Sequence, residues 1–256
     1  MLRVALASTM GTSHLAVNGV CEDACDAKLI VDVNGQSHLA AVAADGAGSA
    51  LMGAIGAKIA ISSILTEITE HFTHAARFPT ETTDITNWIV TAQQNIIHTA
   101  RNFGLRPRDF ACTLLGALVS ERNEQVAFWQ IGDGGIIGLR GEVYGLVFPP
   151  DNGEYANQTH FLTDPQALDY LQVQVSALHL DGIAMITDGL QRLAINSVPL
   201  TPYAGFFDPL FAALNTTPVA TARRSLRPRL RNFLKSDKVN ARTEDDKTLL
   251  LASRGV

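Results

Sequence analysis

The sequence predicts an α+β fold: a four-layer α-β-β-α sandwich in which two mainly antiparallel sheets pack together and a helical pair covers each outer face. Three observations carry this. Strand-like segments come in groups, helix-like segments come in pairs between those groups, and several strands are apolar nearly throughout. Strands alternating singly with helices would instead signal a parallel sheet. A continuously apolar strand is one buried on both faces.

In chain order, residues 4–8, 29–33 and 39–44 read as strands. Residues 50–72, rich in Ala, Ile and Leu, read as the first long helix. Residues 84–103 read as the second, with Ile85, Trp88, Ile89, Ala92, Ile96, Ala100 and Phe103 on one stripe and Asp84 as N-cap. Strands follow at 113–119, 125–131 and 183–187. A second helical pair is expected at 205–214 and 219–234, with Pro228 breaking or kinking the latter. Residues 248–252 form the last strand.

With 256 residues and 46% hydrophobic composition the chain can bury a large core, and no linker, repeat or low-complexity segment divides it. Residues 1–256 are therefore expected to form a single domain. Only 18% of residues are charged and the mean hydropathy is +0.12, which argues against extensive disorder. A net charge of −5 argues against a protein that coats nucleic acid. The seven cations from Arg223 to Lys238 read as a solvated helix face. There is no apolar run of ~20 residues for a membrane span, and the N-terminal MLRVALASTMGTSH lacks the long apolar region of a signal peptide. Cys21, Cys25 and Cys112 fit neither a disulfide framework nor a zinc site, and Cys112 reads as a small buried strand residue. A cytoplasmic monomer without membrane or nucleic-acid partners is expected.

Four places put aspartates where apolar strands meet glycines or the tail: Asp45-Gly46, Asp133-Gly134, Asp188-Gly189 and the 244–248 segment Glu-Asp-Asp-Lys-Thr. Taken singly, Asp-Gly is a common turn dipeptide. Four together, with Glu22-Asp23 upstream, would repel one another unless hard cations lay between them. Oxygen ligands of this kind suit magnesium or manganese, and a glycine beside the aspartate lets a backbone carbonyl approach as a further ligand.

These residues carry a resemblance. C-E-D-A at 21–24, V-A-A-D-G-A-G-S at 42–49, A-C-T-L-L-G-A at 111–117, G-D-G-G at 132–135, T-D-G-L at 187–190 and D-D-K-T-L-L-L at 245–251 follow one another as in the PPM, or type 2C, protein phosphatases. Their order spans nearly the whole chain. The 42–49 segment, with G-E-Y-A-N-Q-T-H-F at 153–161, is similar to a small bacterial branch of that family. The resemblance implies the same α-β-β-α sandwich. It also implies hydrolysis of phosphoserine and phosphothreonine in phosphorylated proteins by a hydroxide bridging two Mn²⁺ or Mg²⁺ ions, with no covalent intermediate. It assigns Asp45 to both metals, the Gly46 carbonyl to one, Asp188 and Asp245 to the other, and Asp133, with Thr113 nearby, to a third, weaker site. Glu22 and Asp23 match an acidic pair that orients water.

Three positions depart from the family pattern. Asn18 stands where many members have a phosphate-binding Arg, Ala47 where many have a His that protonates the leaving group, and Arg192 where an acidic residue often serves the third metal. His14 is the candidate replacement for the missing Arg, His160 is a second candidate near the site, and Arg192 a candidate phosphate contact. The departures leave open an alternative, a non-catalytic phosphoprotein-binding or regulatory module that keeps the fold.

Overall fold

The computed structural model describes residues 2–74, 77–122, 124–149 and 159–254. The chain begins with β1 (Leu2–Thr9), the short helix α1 (Thr12–Ala16), β2 (Ala24–Val31) and β3 (Ser37–Ala44). Two long helices follow, α2 (Gly53–His74) and α3 (Thr82–Asn102). Six strands come next: β4 (Leu114–Ser120), β5 (Gln125–Ile131), β6 (Gly135–Arg140), β7 (Val143–Leu146), β8 (Gln172–Ala177) and β9 (Gly182–Ile186). The rest comprises α4 (Gln191–Ala194), the small hairpin of β10 (Ile195–Ser197) and β11 (Leu200–Pro202), α5 (Ala204–Asn215), α6 (Ala222–Leu234), α7 (Asp237–Asn240) and β12 (Lys247–Arg254).

One five-stranded sheet has the order β1-β12-β9-β6-β7 and the other β2-β3-β4-β5-β8, with antiparallel pairing throughout. The two-residue period of a strand decides which side chain meets which layer. On β3, Leu39, Ala41 and Ala43 enter the core between the sheets, whereas Ala40, Val42 and Ala44 face α2 and α3. On β12, Leu250 and Ala252 join that central core, and Leu249 and Leu251 pack under α5 and α6. Strands buried on both faces explain the continuous apolar runs.

Register then brings the functional loops to one end. Thr9 pairs with Lys247, Ala24 with Ala44 and Leu114 with Ile131. The ends of β1, β3 and β5 therefore lie beside the starts of β12, β2 and β4. The end of β9 joins them, because Ile186 pairs with Leu249.

Some local expectations are corrected. Glu81, not Asp84, occupies the N-cap of α3; Asp84 lies in the first turn and accepts a 3.1 Å bond from Arg77. Phe103 leaves the apolar stripe, standing 59% exposed at the end of α3, because the helix stops before the stripe returns to the core. Pro228 does not break α6, nor does Pro209 break α5. Pro228 is exposed, so the carbonyl left unpaired one turn earlier can turn to water. Cys112 is buried, in a single bridge to Gly46 rather than within β4. The three cysteines are free, and burial pushes the Cys25 thiol up to about 12 and the others up as well, which removes reactive thiolate at neutral pH. Among the described residues no helix is long and apolar enough to cross a membrane.

Candidate metal centre

At the shared end of the strands lies an acidic cavity of about 230 Å³. Its walls include His14, Glu22, Asp45, Gly46, Asp133, Asp188 and Asp245, drawn from six separate stretches of chain. The predicted ligands are therefore neighbours in space.

Asp45 follows β3 directly. Its amide donates a 3.0 Å bond to Thr113 Oγ1, and its carbonyl accepts one of 2.8 Å from the Thr113 amide. These two bonds fix the backbone at the point where the chain leaves the sheet. Gly46 then passes so close to the start of α2 that a Cβ there would lie 2.4 Å from the Gly53 carbonyl carbon. Only a glycine fits that approach. Asp188 begins a 3-10 turn just beyond β9, while Asp133 leaves β5 and accepts a 2.7 Å bond from Thr159 Oγ1. Gln191, in α4, donates to the Asp133 carbonyl and ties that loop to the turn bearing Asp188.

Asp23 does not line the cavity. It is 5% exposed beneath the site, and its Oδ2 accepts a 2.7 Å bond from Thr187 Oγ1, which itself accepts one of 3.0 Å from the Thr248 amide. Burial pushes its carboxyl up to about 7, opposed by the Thr187 and Thr248 bonds. Burial likewise raises Asp188 to about 6 and Asp45 well above the usual range, with neighbouring carboxylates adding to both. The contact between the two carboxyls raises Asp45 further and opposes the rise of Asp188.

Asp246 had no role assigned from sequence, yet it organises one wall. Its Oδ1 accepts from the Gly11 amide at 2.6 Å and its Oδ2 from the Glu22 amide at 2.5 Å. His14 Nδ1 lies 3.0 Å from Oδ1, off the line of a good hydrogen bond but close enough for an ion pair once protonated. This contact, against burial, raises the His14 pKa. Its Nε2 is 3.9 Å from Glu22 Oε2. The adjacent Asp245 and Asp246 serve opposite purposes: one faces the cavity and the other pins the loops around it. The Asp-Asp doublet was the visible signal.

The departures fall unevenly. Ala47 lines the cavity. Asn18 is exposed, with φ of 52°, in the turn after α1. Arg192 lines a different cavity. His160 stacks on Tyr170 with ring centroids 3.4 Å apart, and the described cavity walls do not include it. Residues 153–158 of the branch-like segment lie outside the described residues.

The donor set fits hard cations. Asp23 Oδ1, Glu22 Oε2 and Asp188 Oδ1 are buried without a partner, which is costly for carboxylates unless a charge completes them. Among the described residues no three such side chains close tightly enough to enclose an ion. A water-retaining cation held by one or two carboxylates needs no such cage.

The chain is thus a two-sheet sandwich with carboxylates gathered at its strand ends. Residues 10–235 match the model of the family described as Protein phosphatase 2C, and the chain belongs to that family. Serine/threonine-protein phosphatase 3 of Escherichia coli K12 is 38% identical over 252 residues, spanning 98% of this chain and 97% of its own. A solved bacterial serine phosphatase covers all of this chain and 99% of its own at 16% identity, with a TM-score of 0.65. PppA of Pseudomonas aeruginosa, a component of its T6SS, covers 98% of this chain and 97% of its own at 19% identity and 0.64. At these identities the two structures share the fold.

Proposed function

We propose that this chain is a metal-dependent serine/threonine protein phosphatase acting on phosphorylated proteins. The observation that carries the reading is the gathering of Asp45, Asp188 and Asp245 from three distant stretches of chain around one cavity. Bound Mn²⁺ or Mg²⁺ would supply Lewis acidity toward the phosphoryl oxygens and acidify a bound water. Asp45 would hold both cations, with the Gly46 carbonyl on one and Asp188 and Asp245 on the other; Asp133 would serve a third, weaker site. Glu22 orients water at the cavity wall, and Asp23 supports that wall from below. His14, held by Asp246 and raised in pKa, offers the substrate phosphate a positive charge in place of the missing Arg. The intact carboxylate set favours this reading over a non-catalytic phosphoprotein-binding module. We place the enzyme in the cytoplasm, as one domain and one chain.

Hydrolysis of p-nitrophenyl phosphate and of a phosphothreonine peptide, each with Mn²⁺ and with EDTA, tests the reading. Turnover is expected only with Mn²⁺, and Asp45→Asn is expected to abolish it, since one carboxylate serves both cations. Turnover by that variant at wild-type rate under saturating Mn²⁺ would sink the assignment.

A further inference from the structure

The two helical pairs close over their sheets differently. Between α5 and α6 lies a half-open cavity of about 770 Å³ that shares no wall residue with the acidic one. Its floor is Ala5 of β1 and Leu251 of β12, and Phe206, Leu210, Leu226 and Leu230 form apolar walls. Its volume lies within the range of sites that enclose small molecules, roughly 300–1,000 Å³.

The charges at its edge are all of one sign. Arg192, Arg229, Lys238 and Arg242 line it, from α4, α6, α7 and the turn beyond, and among the described residues no carboxylate does. This happens in a chain with 25 acidic and 20 basic residues. None of the four side chains makes a hydrogen bond or ion pair among the described residues. By contrast Arg223, on the same helix α6, is spent on Asp26 at 2.5 Å and on the Ala27 carbonyl at 2.7 Å. A solvated helix face would scatter its cations outward. Here four exposed cations from four segments rim one apolar hollow, and an anion seated there would meet all four.

We propose that this cavity binds a small amphipathic anion: one acidic head at the cationic rim and an apolar body, the size of a medium-chain fatty acid or an aryl acid, against the floor. The proposal does not depend on the activity assigned to the acidic cavity.

Binding of 8-anilinonaphthalene-1-sulfonate, read by fluorescence and competed by decanoate, tests it alongside N-phenyl-1-naphthylamine, its neutral counterpart. The folded wild-type protein should bind one sulfonate, more weakly as salt rises. The double variant Arg229→Ala, Lys238→Ala should weaken the sulfonate roughly tenfold while changing the neutral probe less than about twofold. Ala213→Trp, at an exposed wall position, should fill the hollow and remove both. Circular dichroism melting and Mn²⁺-dependent turnover should stay at parent level in all variants, which establishes that they fold. Equal weakening of both probes by the charge variant, unchanged binding in Ala213→Trp, or failure of decanoate to compete each overturns the proposal. So does a concentration-dependent dimer in sedimentation that decanoate dissociates, which would make a second copy of the chain the occupant.

Discussion

Asp23, Asp45 and Asp188 hold their protons more tightly in the folded protein than an unfolded chain would, whose aspartates titrate near ~4. Between that value and the folded values of about 6 for Asp188 and about 7 for Asp23, the native state binds more protons than the unfolded one. Stability without metal must then fall as pH rises through that window. The raised His14 acts in the same sense, since its stabilisation is lost as pH rises through its folded value. With EDTA the melting temperature is expected to be higher near about pH 5 than near about pH 7, and Asp23→Asn should shrink the difference. A melting temperature that climbs across this window would contradict the raised carboxyls. Ala47 offers a second test at this scale, because it lines the cavity where a proton donor would stand. General acid catalysis contributes ~10²–10⁴-fold and matters most for a basic leaving group. Ala47→His should therefore raise kcat on a phosphothreonine peptide proportionally more than on p-nitrophenyl phosphate. Equal ratios would mean that another group already delivers the proton.

Among the elements, α2 anchors the Asp45–Gly46 loop and packs closely on the turn before β4. A Cβ at Gly56 would lie 2.0 Å from the Phe110 carbonyl oxygen. Helix propensity favours Ala over Gly by about 1 kcal/mol, but overpacking against backbone costs typically about 1–3 kcal/mol. Backbone cannot swing aside as a side-chain tip can, so the clash should win. Gly56→Ala is expected to lower unfolding stability by about 1–2 kcal/mol in urea denaturation, and a gain would show that α2 shifts freely. Element legibility followed burial. β3, β5, β9 and β12 announce themselves by apolar runs because both faces are covered. β8, Gln-Val-Gln-Val-Ser-Ala at a sheet edge, is only half-buried and passed unread. β6 and β7, rich in glycine, passed unread as well.

For the whole molecule, a site built from six stretches of chain exists only when folded, so cation binding is linked to folding. Binding to the native state alone adds RT ln(1 + [L]/Kd), ~2.7 kcal/mol at a hundredfold excess over Kd. In a chain of this size that corresponds to a rise in melting temperature of roughly 5–10 °C. Mn²⁺ should produce such a rise in the parent and much less in Asp188→Ala. Equal shifts in both would put the cation elsewhere.

The sequence by itself determined the layered fold and the identity of the acidic residues, because both are written in local pattern: apolar runs of strand length, helices in pairs, and aspartates beside glycines at strand ends. Only tertiary structure decided how those acids divide the work. Residues 245 and 246 are both aspartates, and nothing in the chain tells which faces the cavity; the register of β12 against β1 and the amides of Gly11 and Glu22 select Asp246 for support. Asp23 is held beneath the site by Thr187, 164 positions away and itself bonded to the Thr248 amide, and no local pattern links it to either. The same holds for the cationic rim between α5 and α6. Arg192 and Arg229 are distant in sequence, and become one surface because their helices lie over the same apolar floor. Periodicity records which face of an element is buried; which faces meet is fixed by long-range packing.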